Sequence, residues 1–305
     1  MNQQLATPPR YLQRPEGRLA YDLVGDGPLV VCAPGMGDLR SEYRYITPEL
    51  VASGYRVASM DLRGHGDSDA TFDRYDDVAT GGDLLALIRE LGGPAVVIGN
   101  SMSAGAAVWA AAEEPERICG LVLIGPFVRE VPVGKLATLA FRAVMLPPWS
   151  SMAWNAYYQR LFPSRPPTDI DEHRKRIRES MRRPGHARAF RKTTHTSHAP
   201  AEARLDDVRA PVLVVMGADD PDFPDPEAEA RLIADRVDAQ MVMVQGSGHY
   251  PQAEFPELVT PAIVEFLQGL DLAATSGTPS QSGVGSIQHR SSLDRGGPSM
   301  GEARG

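Results

Sequence analysis

Val212-Leu213-Val214-Val215-Met216 is apolar at every position. Successive side chains of a strand point to opposite faces, so a strand without polar residues must be covered on both sides. Leu29–Ala33, Ala95–Ile98 and Leu121–Ile124 share the pattern, and Leu19–Val24, Tyr55–Met60 and Gln240–Val244 are further candidate strands. Helical patterns fall between them, near Ser41–Ser53, Asp76–Leu91, Ser101–Glu114, Pro226–Val237 and Phe255–Gln268. Strands alternating with helices predict an α/β fold, a mostly parallel central sheet flanked by helices.

The alternation stops between Phe127 and about Leu205. That stretch has no strand-like run but holds Trp149, Trp154, Tyr157, Tyr158 and Phe162. It is too long for a loop and reads as a mostly helical insertion. Residues 1–126 and 206–270 then form the α/β core and 127–205 the insertion, while 271–305, rich in Ser and Gly, read as a disordered tail. A net charge of −8 argues against general nucleic-acid binding. The N-terminus has no apolar core of a signal peptide, and no apolar run reaches 18 residues, so a membrane location is not expected. Cys32 and Cys119 lie in apolar runs without metal-ligand spacing, which points to a reducing cytoplasm.

Chemistry concentrates first at Gly99-Asn100-Ser101-Met102-Ser103. A strand ends just before it, and the alanine-rich run from Ala104 is strongly helical. A nucleophilic serine at such a turn needs small residues two before and two after it, because helix and strand approach closely there. Ser101 stands at the expected apex, whereas Ser103 falls inside the helix, where it need only be small. The bland alternative for Ser101 is a helix N-cap.

A serine needs a base, usually His, oriented by a carboxylate. Asp219 and Asp220 follow the strand Val212–Met216, and His249 follows Gln240–Val244 in a glycine-rich loop. Both positions are C-terminal ends of strands, the edge of an open α/β sheet where ligands bind. His65 sits in a glycine-flanked loop that reads as structural, and His195 and His198 read as solvent-exposed rather than metal-binding.

With these motifs in this order, the chain resembles the cap-bearing α/β-hydrolase superfamily from roughly Arg18 to Leu270. Gly99–Ser103 is similar to its nucleophile elbow, Gly217-Ala218-Asp219-Asp220-Pro221 to its acid loop, Gly248-His249 to its histidine loop, and Asp61–Ser68 to the loop after its fourth strand. The resemblance selects Asp220 over Asp219, three residues after the glycine, and places the helical cap after the sixth strand. It also implies an oxyanion hole from the backbone N–H groups of Met102 and Met36. Here Pro34 stands before Gly35 where His is more usual, a departure that leaves the donor in place.

The function implied is that of a serine hydrolase cleaving a small-molecule carboxylic ester or lactone, with no metal or organic cofactor. A carbon–carbon bond hydrolase of the same fold is the alternative, and a non-catalytic ligand receptor a more distant one. Epoxide hydrolase or dehalogenase chemistry needs a carboxylate where Ser101 stands. Cap residues Trp149, Trp154 and Tyr157 are candidates for an apolar substrate pocket. The basic run from His173 to Lys192 reads as a solvated face, or as the source of one Arg that enters the cleft to hold a carboxylate. Sequence gives no oligomeric state.

Overall fold

The structure, a computed structural model, describes residues 8–130, 135–146 and 149–270; the expected tail at 271–305 lies outside them. Its sheet has eight strands: β1 Arg10–Arg14, β2 Gly17–Val24, β3 Leu29–Ala33, β4 Arg56–Met60, β5 Ala95–Asn100, β6 Ile118–Ile124, β7 Val212–Gly217 and β8 Gln240–Val244. They run in the order β1-β2-β4-β3-β5-β6-β7-β8. β2 is antiparallel to both its neighbours, and from β4 to β8 every pairing is parallel.

The helices are α1 Thr47–Ala52, α2 Asp77–Glu90, α3 Met102–Glu113, α4 Lys135–Val144, α5 Ser150–Arg160, α6 Ile170–Arg182, α7 His186–Thr193, α8 Ala199–Glu202, α9 Pro226–Val237, α10 Pro251–Glu254 and α11 Pro256–Gln268. The central strands divide their side chains by the two-residue period. Val31, Ala33 and Val97 face a core shared with α2, α3 and α9. Val30, Cys32, Val96 and Ile98 face the opposite core, closed by α1 and α11. Apolar runs such as VLVVM are therefore buried at every position.

Between β6 and β7 the described chain is helical, α4 to α8. A third apolar cluster joins Trp154, Tyr158, Ile177, Met181 and Phe190 of these helices to Leu39, Tyr250 and Ala253 beneath them. The insertion merges into the main core earlier than its expected end at 205. Ala189, Ala201 and Leu205 are buried in the same core as α2 and α3.

Candidate active site

β5 ends in a turn that leads directly into α3, and Ser101 at its apex has φ 56° and ψ −123°. A non-glycine residue with positive φ is strained and persists only where its surroundings impose it. Three contacts do so. The Ser101 N–H donates to Ile124 O at 2.9 Å, and Ser101 O accepts from the N–H groups of Ala104 and Phe127. Gly99 has to be glycine, because a Cβ there would lie 2.5 Å from Ser103 O. No side-chain cap bond forms at Ser101, so the hydroxyl is not spent as an N-cap.

The neighbouring side chains tie this turn to two other loops. Asn100 Nδ2 donates to Ile124 O at 3.1 Å and to His249 O at 3.2 Å, joining the serine strand to the histidine loop. Ser103 is fully buried, and its hydroxyl donates to Pro34 O at 2.5 Å. The residue that looked merely tolerated in place of glycine is a strut to the loop that carries Met36.

That loop, Pro34–Asp38, is held from every side. Glu42 accepts the Gly35 N–H at 3.1 Å. The Gly37 N–H donates to His65 Nε2 at 3.0 Å, while His65 Nδ1 pairs with Arg63 O at 2.8 Å. Both ring nitrogens of His65 are thus committed to backbone, and burial holds its pKa down. Trp154 Nε1 donates to Gly37 O at 3.0 Å from above. Among the described residues, neither the Met36 N–H nor the Met102 N–H has a protein acceptor. Met102 opens α3, whose first N–H groups lack intrahelical partners and carry the positive end of the helix dipole.

His249 and Asp220 come from the loops after β8 and β7. Nδ1 of His249 lies 2.7 Å from Asp220 Oδ2, both side chains are buried, and the other Asp220 oxygen accepts the Asp222 N–H at 3.0 Å. Gly125 has φ 49°, and a Cβ on it would come within 3.0 Å of the imidazole, so the ring packs close against the backbone there. Burial by itself lowers the pKa of His249, but the charges of Asp220 and Asp222 outweigh it and push it up to about 9. Asp222 Oδ2 stands 3.7 Å from the same Nδ1, and its Oδ1 accepts the hydroxyl of Tyr157. Asp220, Asp222 and His249 bring donor atoms within 4.8 Å of one another. Each is engaged in a hydrogen bond, so the group reads as an acid–base set rather than a ligand set.

Ser101, Met36, Met102, Trp154, Tyr157 and His249 border one cavity of about 410 Å³. Among the described residues no hydrogen bond joins Ser101 to His249; the two meet across this space. Trp149 does not border it and is 50% exposed. Five residues from Trp154, it sits about 140° round the helix from the inward face. His198, expected in solvent, also borders the cavity; its Nδ1 lies 2.8 Å from the buried Asp77 Oδ2. That partner is 121 residues away, and no local pattern announces it. Nor does an Arg of the basic run enter the cleft among the described residues. Arg174 and Arg178 hold Asn155, and Arg188 and Lys192 reach Ala70 O and Asp73 O. The basic face is partly a set of staples between the insertion and the core.

A second His–Asp pair carries no signal in the sequence. His173 Nε2 lies 2.6 Å from Asp38 Oδ1, and the Tyr158 hydroxyl donates to Asp38 Oδ2 at 2.7 Å. Burial alone would raise the Asp38 pKa; His173 and the Tyr158 hydroxyl outweigh it and hold the carboxyl below its ordinary value.

Residues 30–262 match the model for the alpha/beta hydrolase family, and the chain belongs to that family. It is 29% identical over 273 residues to a 2-hydroxy-6-oxononadienedioate/2-hydroxy-6-oxononatrienedioate hydrolase of Pseudomonas putida, covering 82% of this chain and 92% of that protein. It is 27% identical over 241 residues to the pimeloyl-[acyl-carrier protein] methyl ester esterase of Neisseria meningitidis, covering 77% and 91%. A solved hydrolase structure from Pseudomonas aeruginosa superposes with a TM-score of 0.71 at 26% identity, over 86% of this chain and 99% of that one. No described helix is long and apolar enough to cross a membrane.

Proposed function

We propose that the protein is a serine hydrolase that cleaves an uncharged carboxylic ester or lactone through an acyl-enzyme. The observation that carries this reading is the strained Ser101 turn opening on the same cavity as the buried His249–Asp220 pair. Ser101 Oγ attacks the carbonyl carbon while His249 Nε2 takes its proton. The imidazolium so formed is stabilised and oriented by Asp220, then returns the proton to the leaving alkoxide. The Met36 and Met102 N–H groups receive the tetrahedral oxyanion, each worth roughly 3–4 kcal/mol of barrier. Water activated by the same histidine then attacks the acyl carbon and frees Ser101. Helices of the insertion act as a cap, with Trp154 and Tyr157 as pocket wall. The unpaired thiols of Cys32 and Cys119 support a reducing cytoplasm as its compartment.

The Pseudomonas putida relative is named for a dicarboxylate, which makes carbon–carbon hydrolysis the second reading. The cavity wall favours the first. Its described lining contains Glu130 and Asp222 but no Arg or Lys, a poor receptor for a carboxylate. A panel of neutral esters and lactones of increasing acyl length, run beside a 2-hydroxy-6-oxodienoate, tests the choice. Ester or lactone turnover that disappears in Ser101→Ala supports the proposal. Turnover of the dienoate alone would replace it with the second reading.

A further inference from the structure

Resting on that reading of the site, we propose that Asp222 is a second carboxylate partner of His249, held in place by the cap through Tyr157, so that cap position and histidine basicity are coupled. One loop supplies both carboxylates. Asp220 Oδ2 accepts the single Nδ1 proton at 2.7 Å. At 3.7 Å, Asp222 Oδ2 is beyond hydrogen-bond range of that nitrogen and acts on it as a charge. The Asp222 backbone N–H holds the far oxygen of Asp220 at 3.0 Å, so any shift of residue 222 is felt by both acids.

Tyr157 is the element that makes the arrangement conditional. It comes from α5, borders the cavity, and gives its hydroxyl to Asp222 Oδ1. A cap displaced from the core withdraws that donor and opens Asp222 to water, weakening its field at the imidazole. With the cap seated, the carboxylate is fixed beside the ring while substrate is enclosed.

The groups facing this cluster are few. His249 meets Asp220 and Asp222 from the loop after β7, Asp38 from the loop after β3, and Tyr250 beside it. Asp222 meets Asp220, His249 and Tyr157, and Arg160 of the same helix acts on Tyr157. Burial and the neighbouring Asp220 charge raise the Asp222 carboxyl, against the pull of His249 and the Tyr157 hydroxyl. Across the cavity, Glu130 is occupied by Ser197 Oγ and the His198 N–H. Asp38 is engaged by His173 and the Tyr158 hydroxyl, and Asp222 stands beside the imidazole with Asp220, its Oδ2 3.7 Å from Nδ1.

The test is a titration of His249 by NMR on protein labelled at histidine, in wild type, Asp222→Asn and Tyr157→Phe, beside the pH profile of kcat/KM. In Asp222→Asn the imidazole titration and the acid limb are both expected to move about one unit to lower pH. Tyr157→Phe moves them the same way by less, and it serves if Asp222→Asn fails to fold. Asp220→Asn is expected to lose less than the ~10⁴-fold seen when a triad acid is neutralised elsewhere. Adding Asp222→Asn should then remove at least another factor of about ten. An unmoved titration, or a double variant equal to Asp220→Asn alone, overturns the proposal. The titration needs no substrate, so it decides this point even if the ester reading fails.

Discussion

His249 lies 2.7 Å from Asp220 and His173 lies 2.6 Å from Asp38, and all four side chains are buried. By residue type, distance and burial the pairs are equivalent. They differ in what surrounds them. His249 stands in a glycine-rich loop at the C-terminal edge of the sheet, presents Nδ1 to its acid, and opens on the cavity that Ser101 enters. His173 stands on α6, presents Nε2, and is sealed between the insertion and the core, with the Tyr158 hydroxyl on the other oxygen of its acid and Ser41 Oγ 3.4 Å from its Nδ1. A buried His–Asp pair becomes an acid–base device only where its remaining nitrogen faces a reacting group. Closed in, the same pair is a clamp, and this one fixes Asp38 at the end of the loop that carries Met36.

The widest separation between the pairs is expected in turnover. His249→Ala or Ser101→Ala should lower kcat by at least about 10³-fold with the fold intact by circular dichroism. His173→Ala should leave kcat within roughly tenfold, since it touches the Pro34–Asp38 loop only through Asp38, and a proposed oxyanion donor there stays in place. Stability depends on burial, not on access to the cavity. Removing one partner of a sealed pair leaves a buried charge, costing about 3 kcal/mol, so His173→Ala should melt several degrees lower than wild type. A His173→Ala protein as stable as wild type would break the distinction.

pH separates the pairs again. His249 has a folded pKa raised to about 9, so its contribution to stability is complete below its unfolded value near 6.5. That contribution, about 3 kcal/mol, is lost as pH rises from there through about 9. Asp38, held below its ordinary value, contributes above the unfolded carboxylate range, and the contribution is lost as pH falls through its folded pKa. Denaturant melts across pH should lose the alkaline slope in His249→Gln and the acid slope in Asp38→Asn. The smallest effect is expected at the strut between the loops. Ser103→Ala removes the bond to Pro34 O and should cost about 1 kcal/mol of stability and a few-fold in kcat. Unchanged kinetics there would return Ser103 to the role of a space filler.

What the sequence discloses follows from which interactions are local. VLVVM and VVIGN are legible because burial on both faces writes itself into consecutive residues. Ser101, Asp220 and His249 are legible because each sits in the turn or loop that follows a strand at the C-terminal edge of the sheet. β1 is not, since RYLQR is an edge strand with only Leu12 buried and carries no alternation strong enough to read. His173–Asp38 and His198–Asp77 join residues 135 and 121 positions apart, and neither half has a distinguishing neighbourhood. Asp222 was visible two residues beyond Asp220, but its importance depends on Tyr157 arriving from the cap. Trp149 faces away from the cavity, and composition does not disclose this, because it counts aromatic residues without assigning them to a helix face.

The most direct measurement is covalent labelling with a fluorophosphonate, the adduct mapped by mass spectrometry and its rate compared in wild type, His249→Ala and His173→Ala. The account predicts one adduct, on Ser101, formed at least about a hundredfold more slowly in His249→Ala and at nearly the wild-type rate in His173→Ala. An adduct on Ser103, no adduct at all, or equal slowing in both histidine variants would contradict it.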